Sequence, residues 1–306
     1  MPAPTRRQWL ASTAALSVAR PAGAAGKPAA LPLGFSLYGM KSLPLAGAFE
    51  TCAAVGYDGV ELALMPGYPA EPKALSAADR KELRARLADS RLALHGLMEN
   101  LAEPAADAVH RANLDRLKAA AELGHALSPA APPPVETILG GKPADWDAVK
   151  DRMVERLGAW AAVAKDAKTV IAVKPHVGNA LHTLDGAVWL MKQVNSPWLR
   201  LAFDYSHFVL RGVKLATAVA ALAPHAAFAH VKDAKGTAEK FEFSLPGTGG
   251  TDYADLVARL AAAEYRGPVV VEVSGMVSNR PEYDPVAAAK TSYANLAAAF
   301  GRPHAK

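Results

Sequence analysis

Short apolar runs alternate with longer amphipathic stretches along nearly the whole chain, which restricts the fold to a parallel sheet with helices between its strands. Strands are expected at about 33–38, 58–63, 91–97, 124–129, 169–175, 199–205, 226–232 and 268–274. Helices are expected at about 44–55, 76–90, 106–123, 145–166, 184–194, 214–223, 252–263 and 285–300. Ser76, Asp145, Thr183 and Thr251 or Asp252 offer side-chain oxygens at helix starts, and Gly56, Gly124 and Gly267 stand where helices are expected to stop. Eight such repeats close a (β/α)8 TIM barrel, and 306 residues suit a single domain of that kind.

In such a barrel the C-terminal ends of the strands converge on one mouth, where active sites are built. Four expected strands end in polar residues: Lys174-Pro175-His176, Asp204-Tyr205-Ser206-His207, His230-Val231-Lys232-Asp233 and Val271-Glu272-Val273-Ser274. Successive strand side chains point to opposite faces, so parity decides which residues share the axis. Leu199, Leu201 and Phe203 alternate with Arg200, Ala202 and Asp204, while Val269, Val271 and Val273 alternate with Val270, Glu272 and Ser274. Val60 and Leu62 flank Glu61 in the same way. With the large apolar set against the helices, Tyr38, Glu61, His95, Lys174, His176, Asp204, His230, Lys232 and Glu272 face one mouth. Residues 128–145, rich in proline and containing Gly140-Gly141, are expected as a long loop on that side, either a lid or a plain surface loop. Residues 277–285 are a second candidate wall.

At the N-terminus, Thr5-Arg6-Arg7-Gln8-Trp9-Leu10 fits the twin-arginine export consensus, and Ala22-Gly23-Ala24 supplies small residues suited to cleavage. Residues 1–24 are therefore read as a signal peptide and 25–306 as the mature barrel. That reading places the protein in the periplasm or outside the cell, with the twin-arginine export machinery as a partner. The apolar run after the arginines is too short to span a bilayer, which takes about 20 residues. Without Arg6, Arg7 and Arg20 the net charge falls from +5 to +2, which gives no electrostatic argument for a nucleic-acid partner. Cys52 is the only cysteine, so an intrachain disulfide is impossible.

Several motifs, in this order and spacing, resemble the xylose isomerase-like barrel superfamily, which includes inosose dehydratase, hydroxypyruvate isomerase, ketose 3-epimerases and endonuclease IV. They are Gly56-Tyr57-Asp58-Gly59-Val60-Glu61-Leu62, Leu94-His95-Gly96, Asp204-Tyr205-Ser206-His207, His230-Val231-Lys232-Asp233, Pro246 to Tyr253, and Glu272. The resemblance implies a divalent metal held by a glutamate, an aspartate, a histidine and a glutamate from the last four strands. Asp204, His230 and Glu272 match three of these positions; at the first, where the family pattern reads Glu-x-His, this chain has Lys174-Pro175-His176.

A protonated lysine cannot ligate a cation and repels one, so the substitution leaves three outcomes open. His176 could complete an altered site with Asp204, His230 and Glu272, a mixed nitrogen and oxygen set suited to Mn²⁺, Fe²⁺ or Zn²⁺, with Mg²⁺ implied by the family. The Lys174 ammonium could stand where the metal would. Alternatively, a desolvated Lys174 of lowered pKa could act as a base or form a Schiff base. Glu61, His95, His207 and Lys232 are candidate substrate contacts; Lys232 and Asp233 could instead form a rim pair, and Gly247, Gly249 and Gly250 a simple turn. The implied activity is that of a sugar isomerase or epimerase acting on a small-molecule carbohydrate by proton abstraction next to a carbonyl, with Glu272 as base and metal or Lys174 stabilising the oxyanion. A dehydratase using the same site and a non-catalytic sugar-binding protein are the alternatives. A phosphodiesterase of the endonuclease IV type needs more histidine and acidic ligands than the chain places.

Overall fold

In a computed structural model that describes residues 30–302, eight parallel strands close into a barrel. They are β1 (Leu33–Ser36), β2 (Gly59–Ala63), β3 (Ala93–Asn100), β4 (Val135–Ile138), β5 (Ile171–Lys174), β6 (Leu199–Asp204), β7 (Ala226–Val231) and β10 (Val269–Val271). The β10 strand pairs with both β7 and β1, which closes the ring. Outside it lie α1 (Leu45–Val55), α2 (Ala77–Asp89), α3 (Asp107–Leu127), α4 (Trp146–Asp166), α5 (Leu184–Val194), α7 (Leu215–Leu222), α8 (Tyr253–Ala262) and α10 (Pro285–Leu296). Two one-turn helices, α6 (Ser206–Val209) and α9 (Gly275–Ser278), follow β6 and β10 at the mouth. The signal-peptide assignment, residues 1–24, lies outside the described residues. Among the described residues no helix is long and apolar enough to cross a membrane.

Strand parity builds the core in two layers. Leu33, Phe35, Val60, Leu62, Leu201, Phe203, Val269 and Val271 point outward into the main core under the helices. Ala172, Ala202, Phe228 and Val270 point inward and form a separate apolar plug on the barrel axis. Burying a side chain such as Phe228 or Val270 in this way stabilises the fold by about 1.5–3 kcal/mol. Two residues further along each of those strands come Lys174, Asp204, His230 and Glu272, so the period of two places a charged layer directly above the plug.

The fourth strand is a correction. The stretch expected as a strand at 124–129 is instead the last turn of α3, because the buried spacing Leu117, Ala120, Ala121, Leu123, Gly124, Leu127 continues the helical period. Gly124 does not end that helix; a Cβ there would lie 3.1 Å from Leu97 Cδ1, so it allows close approach of α3 to the sheet. The strand is Val135-Glu136-Thr137-Ile138. The proline-rich residues 128–134 therefore lead into β4 from the end opposite the mouth, and only 139–145 follow it, which removes the expected lid. A two-stranded hairpin, β8 (Asp233–Gly236) and β9 (Phe241–Ser244), lies on the mouth side after β7.

Candidate active site

The charged layer lines a cavity of about 160 Å³ at the C-terminal mouth. Its walls include Tyr38, Met98, Glu136, Lys174, His176, His207, Lys232, Phe243 and Glu272. Ser274 and Gly275, at the start of α9, close one side and Phe243 of the hairpin another. The wall expected at 277–285 thus begins slightly earlier, and Tyr283 ties it down by donating from its hydroxyl to the Gly39 carbonyl at 2.8 Å.

Two ammonium groups organise the centre. Lys174 Nζ lies 2.8 Å from Glu272 Oε2, 3.0 Å from His230 Nδ1 and 3.2 Å from Glu136 Oε1. Lys232 Nζ donates to Asp204 Oδ2 and, at 2.9 Å, to the same Glu272 Oε2. On its other nitrogen, His230 Nε2 lies 2.9 Å from Glu61 Oε2. A proton on Nε2 given to Glu61 leaves the Nδ1 lone pair for the Lys174 ammonium. Asp204 also accepts from the Ser206 hydroxyl at 2.6 Å and amide at 3.1 Å, both at the start of α6. All of these side chains are buried or nearly so.

Burial and charge pull the titrations in opposite directions. Burial opposes ionisation of Glu272 and Asp204, yet the lysines beside them outweigh it and hold both carboxyls well below the usual range. Burial likewise disfavours the Lys174 ammonium, but Glu136, Glu272 and Asp204 together hold its pKa above the ordinary value. That direction opposes a neutral Lys174 acting as base or Schiff-base former. Glu136 behaves differently: burial dominates and, despite Lys174, pushes its carboxyl up to about 7. Burial also brings the imidazoles down, His176 to about 2 and His207 to about 4, so both are neutral at the mouth.

The structure brings most of the sequence-derived residues together. Lys174, His176, His207, Lys232 and Glu272 line the cavity; Asp204, His230 and Glu61 lie beneath it, bonded to its floor. His176 stands apart from the other proposed ligands, its ring centroid 4.2 Å from that of His207. His95 does not line the cavity. It falls at the β2–β3 register shift, and its ring packs against the backbone of β1 and β2, where a Cβ on Gly34 or Gly59 would come within 2.5 or 2.6 Å of it. Its Nδ1 has no hydrogen-bond partner among the described residues, and burial takes its pKa down to about 4. Lys232 and Asp233 do not pair; Asp233 accepts from the Gly249 amide at 2.7 Å and the Tyr253 hydroxyl at 3.1 Å, which fixes the glycine-rich turn. Glu136 is the residue sequence reasoning missed, and its inward parity within Val-Glu-Thr-Ile is the signal that marks it.

Asp204, His230 and Glu272 each offer a donor atom, all within 4.8 Å of one another, so the triad is a possible site for a divalent ion. As arranged, however, Lys174 Nζ bridges the His230 and Glu272 donors and Lys232 Nζ bridges the Asp204 and Glu272 donors. An ion on these ligands would have to share each donor atom with an ammonium, whose charge repels it.

A sequence model described as xylose isomerase-like TIM barrel matches residues 49–298, and the chain belongs to that family. None of the curated proteins matches. Among solved structures, the IolI protein with a bound zinc atom is 19% identical with a TM-score of 0.75, covering 89% of this chain and 98% of that one. A 3-keto-D-glucoside 4-epimerase, YcjR, from E. coli is 18% identical with a TM-score of 0.68, covering 86% and 98%. A xylose isomerase-like TIM barrel/4-hydroxyphenylpyruvate dioxygenase fusion protein is 20% identical with a TM-score of 0.70; it matches 89% of this chain, which spans 43% of its length. At these identities the likeness is one of fold.

Proposed function

We propose that this protein is an enzyme acting on a carbonyl form of a sugar, by proton transfer at the carbon next to the carbonyl, with isomerisation or epimerisation as the outcome. The observation that carries this reading is Glu272: an ionised carboxylate facing a cavity of about 160 Å³ while two ammoniums stand on the same oxygen. Glu272 is the general base. The Lys174 ammonium lies where it can stabilise an oxyanion, and preorganised charge of this kind is worth about 3 kcal/mol per donor. His207 and His176, both neutral, are suited to hydrogen bonds with sugar hydroxyls, and Lys232 to an electrostatic contact. Sugar epimerase activity in a protein of like fold supports the substrate class.

The test is a panel of ketoses and keto-glycosides incubated with the protein in D2O and followed by NMR. Deuterium entering at the carbon next to the carbonyl supports proton transfer; a sugar that binds without exchange points to a binding protein. We also infer export through the twin-arginine route, motivated by Arg6-Arg7 and the small residues at 22–24. N-terminal sequencing of protein recovered from the periplasm, expected to begin near Ala25, checks this; a mature N-terminus at Met1 or Pro2 contradicts it.

A further inference from the structure

We propose that Lys174 is the resident cation of this site, with Glu136 as its built-in counter-ion, and that the pair replaces the divalent metal and its fourth ligand. This deepens the proposed function by naming what polarises the substrate oxygen, and it rests on that reading only for the polarising role.

Three observations carry it. The first is position: Lys174 Nζ lies within 3.0 Å of both His230 Nδ1 and Glu272 Oε2, two of the three donors an ion would need. The second is charge. The carboxylates of Asp204 and Glu272, two of the groups that would ligate a divalent ion, are already engaged in ion pairs with the ammoniums of Lys174 and Lys232. An added ion would face both ammoniums at close range in a buried space, where like charges repel strongly. The third is the partner on the neighbouring strand. Glu136, fully buried on β4, points inward at Lys174 with Oε1 3.2 Å from Nζ. The chain thus sets a buried lysine at the end of β5 against a buried acid one strand over on β4.

The chemistry follows from what an ammonium can do. Two of its three N–H donors go to Glu272 and His230, and the 3.2 Å approach of Glu136 Oε1 is an ion-pair contact without a hydrogen bond, so one N–H is left for a carbonyl or enediolate oxygen. Lys174 holds its position through contacts with Glu136, His230 and Glu272 and lines the cavity. Substrate therefore meets a cation fixed by the fold, independent of metal supply.

The experiment uses the full chain purified without chelator, with metal content measured by mass spectrometry and with Mn²⁺ and Zn²⁺ titrated calorimetrically. Wild type is expected to carry well under one metal per chain and to show no tight site. Lys174→Glu is expected to bind Mn²⁺ roughly 100-fold tighter than wild type, the scale on which rearranged metal-site surroundings act. One tightly held metal per wild-type chain overturns the proposal, whether or not the variant folds. Deuterium exchange in EDTA separates the two claims: exchange that persists supports the ammonium as the polarising group, and exchange abolished by EDTA and restored by Mn²⁺ overturns it. Absence of exchange under every condition removes the proposed reaction, while the metal-affinity result still decides the identity of the cation.

Discussion

Replacing Lys174 by methionine keeps an unbranched side chain one atom shorter and deletes the charge, leaving Glu136 and Glu272 facing each other across a buried space. With Nζ at 2.8 Å from Glu272 and 3.2 Å from Glu136, each attraction is worth roughly 5 kcal/mol at an effective dielectric of about 20. Release of the buried ammonium from its desolvation cost offsets much of this, so the expected net loss is about 3–5 kcal/mol. The loss must depend on pH. Without the ammonium both carboxyls titrate higher than in wild type, Glu136 rising further above 4.5 and Glu272 rising from well below it, so the loss relative to wild type is smallest in acid and grows as pH rises. Urea unfolding of wild type and Lys174→Met at pH 5.5 and pH 8, followed by circular dichroism, measures both effects. Adding Glu136→Gln to the variant should recover about 1–3 kcal/mol at pH 8. A loss below about 1 kcal/mol at pH 8, or one independent of pH, refutes the buried charge layer.

Three further perturbations follow from the same geometry. Burial holds His95 neutral down to about 4 against 6.5 unfolded, so it contributes stability above about pH 6.5 that is lost as pH falls towards 4; His95→Gln should remove up to about 3 kcal/mol of that acid sensitivity in urea titrations. Glu136 works the other way, since its folded pKa of about 7 lies above 4.5: relative to Glu136→Gln, wild type should lose stability as pH rises from 4.5 through 7, and parallel curves for the two would contradict the assignment. Asp233→Ala leaves the Gly249 amide and the Tyr253 hydroxyl without their acceptor and should cost about 1–3 kcal/mol, with faster hydrogen exchange at Gly249; unchanged exchange there would show that Asp233 does not hold the turn.

The barrel and most of its charged layer were legible because the period of two survives in β5, β6, β7 and β10, where an alanine, phenylalanine or valine of the plug precedes each charged residue by two positions. β4 hid for two reasons. The helical pattern of α3 runs on through Gly124, where a glycine looks like a stop but serves close packing, and the strand itself is only four residues with a glutamate in the middle. Misplacing β4 concealed Glu136 and created a lid that the chain does not have. His95 has the right parity for the mouth, yet a register shift beside it and the absent side chains of Gly34 and Gly59 let its ring lie against the barrel wall, a consequence of neighbouring strands that no single segment shows. The partners of Lys232 were equally hidden, because Asp233 follows it in sequence but points to the other side of the strand.

The claim that Glu272 takes the proton is tested most directly by Glu272→Gln on whichever sugar the wild type exchanges in D2O. A positioned general base contributes about 10²–10⁴-fold, so the exchange rate should fall by at least about 100-fold while calorimetry still detects the sugar. Exchange at the wild-type rate in Glu272→Gln would contradict the account.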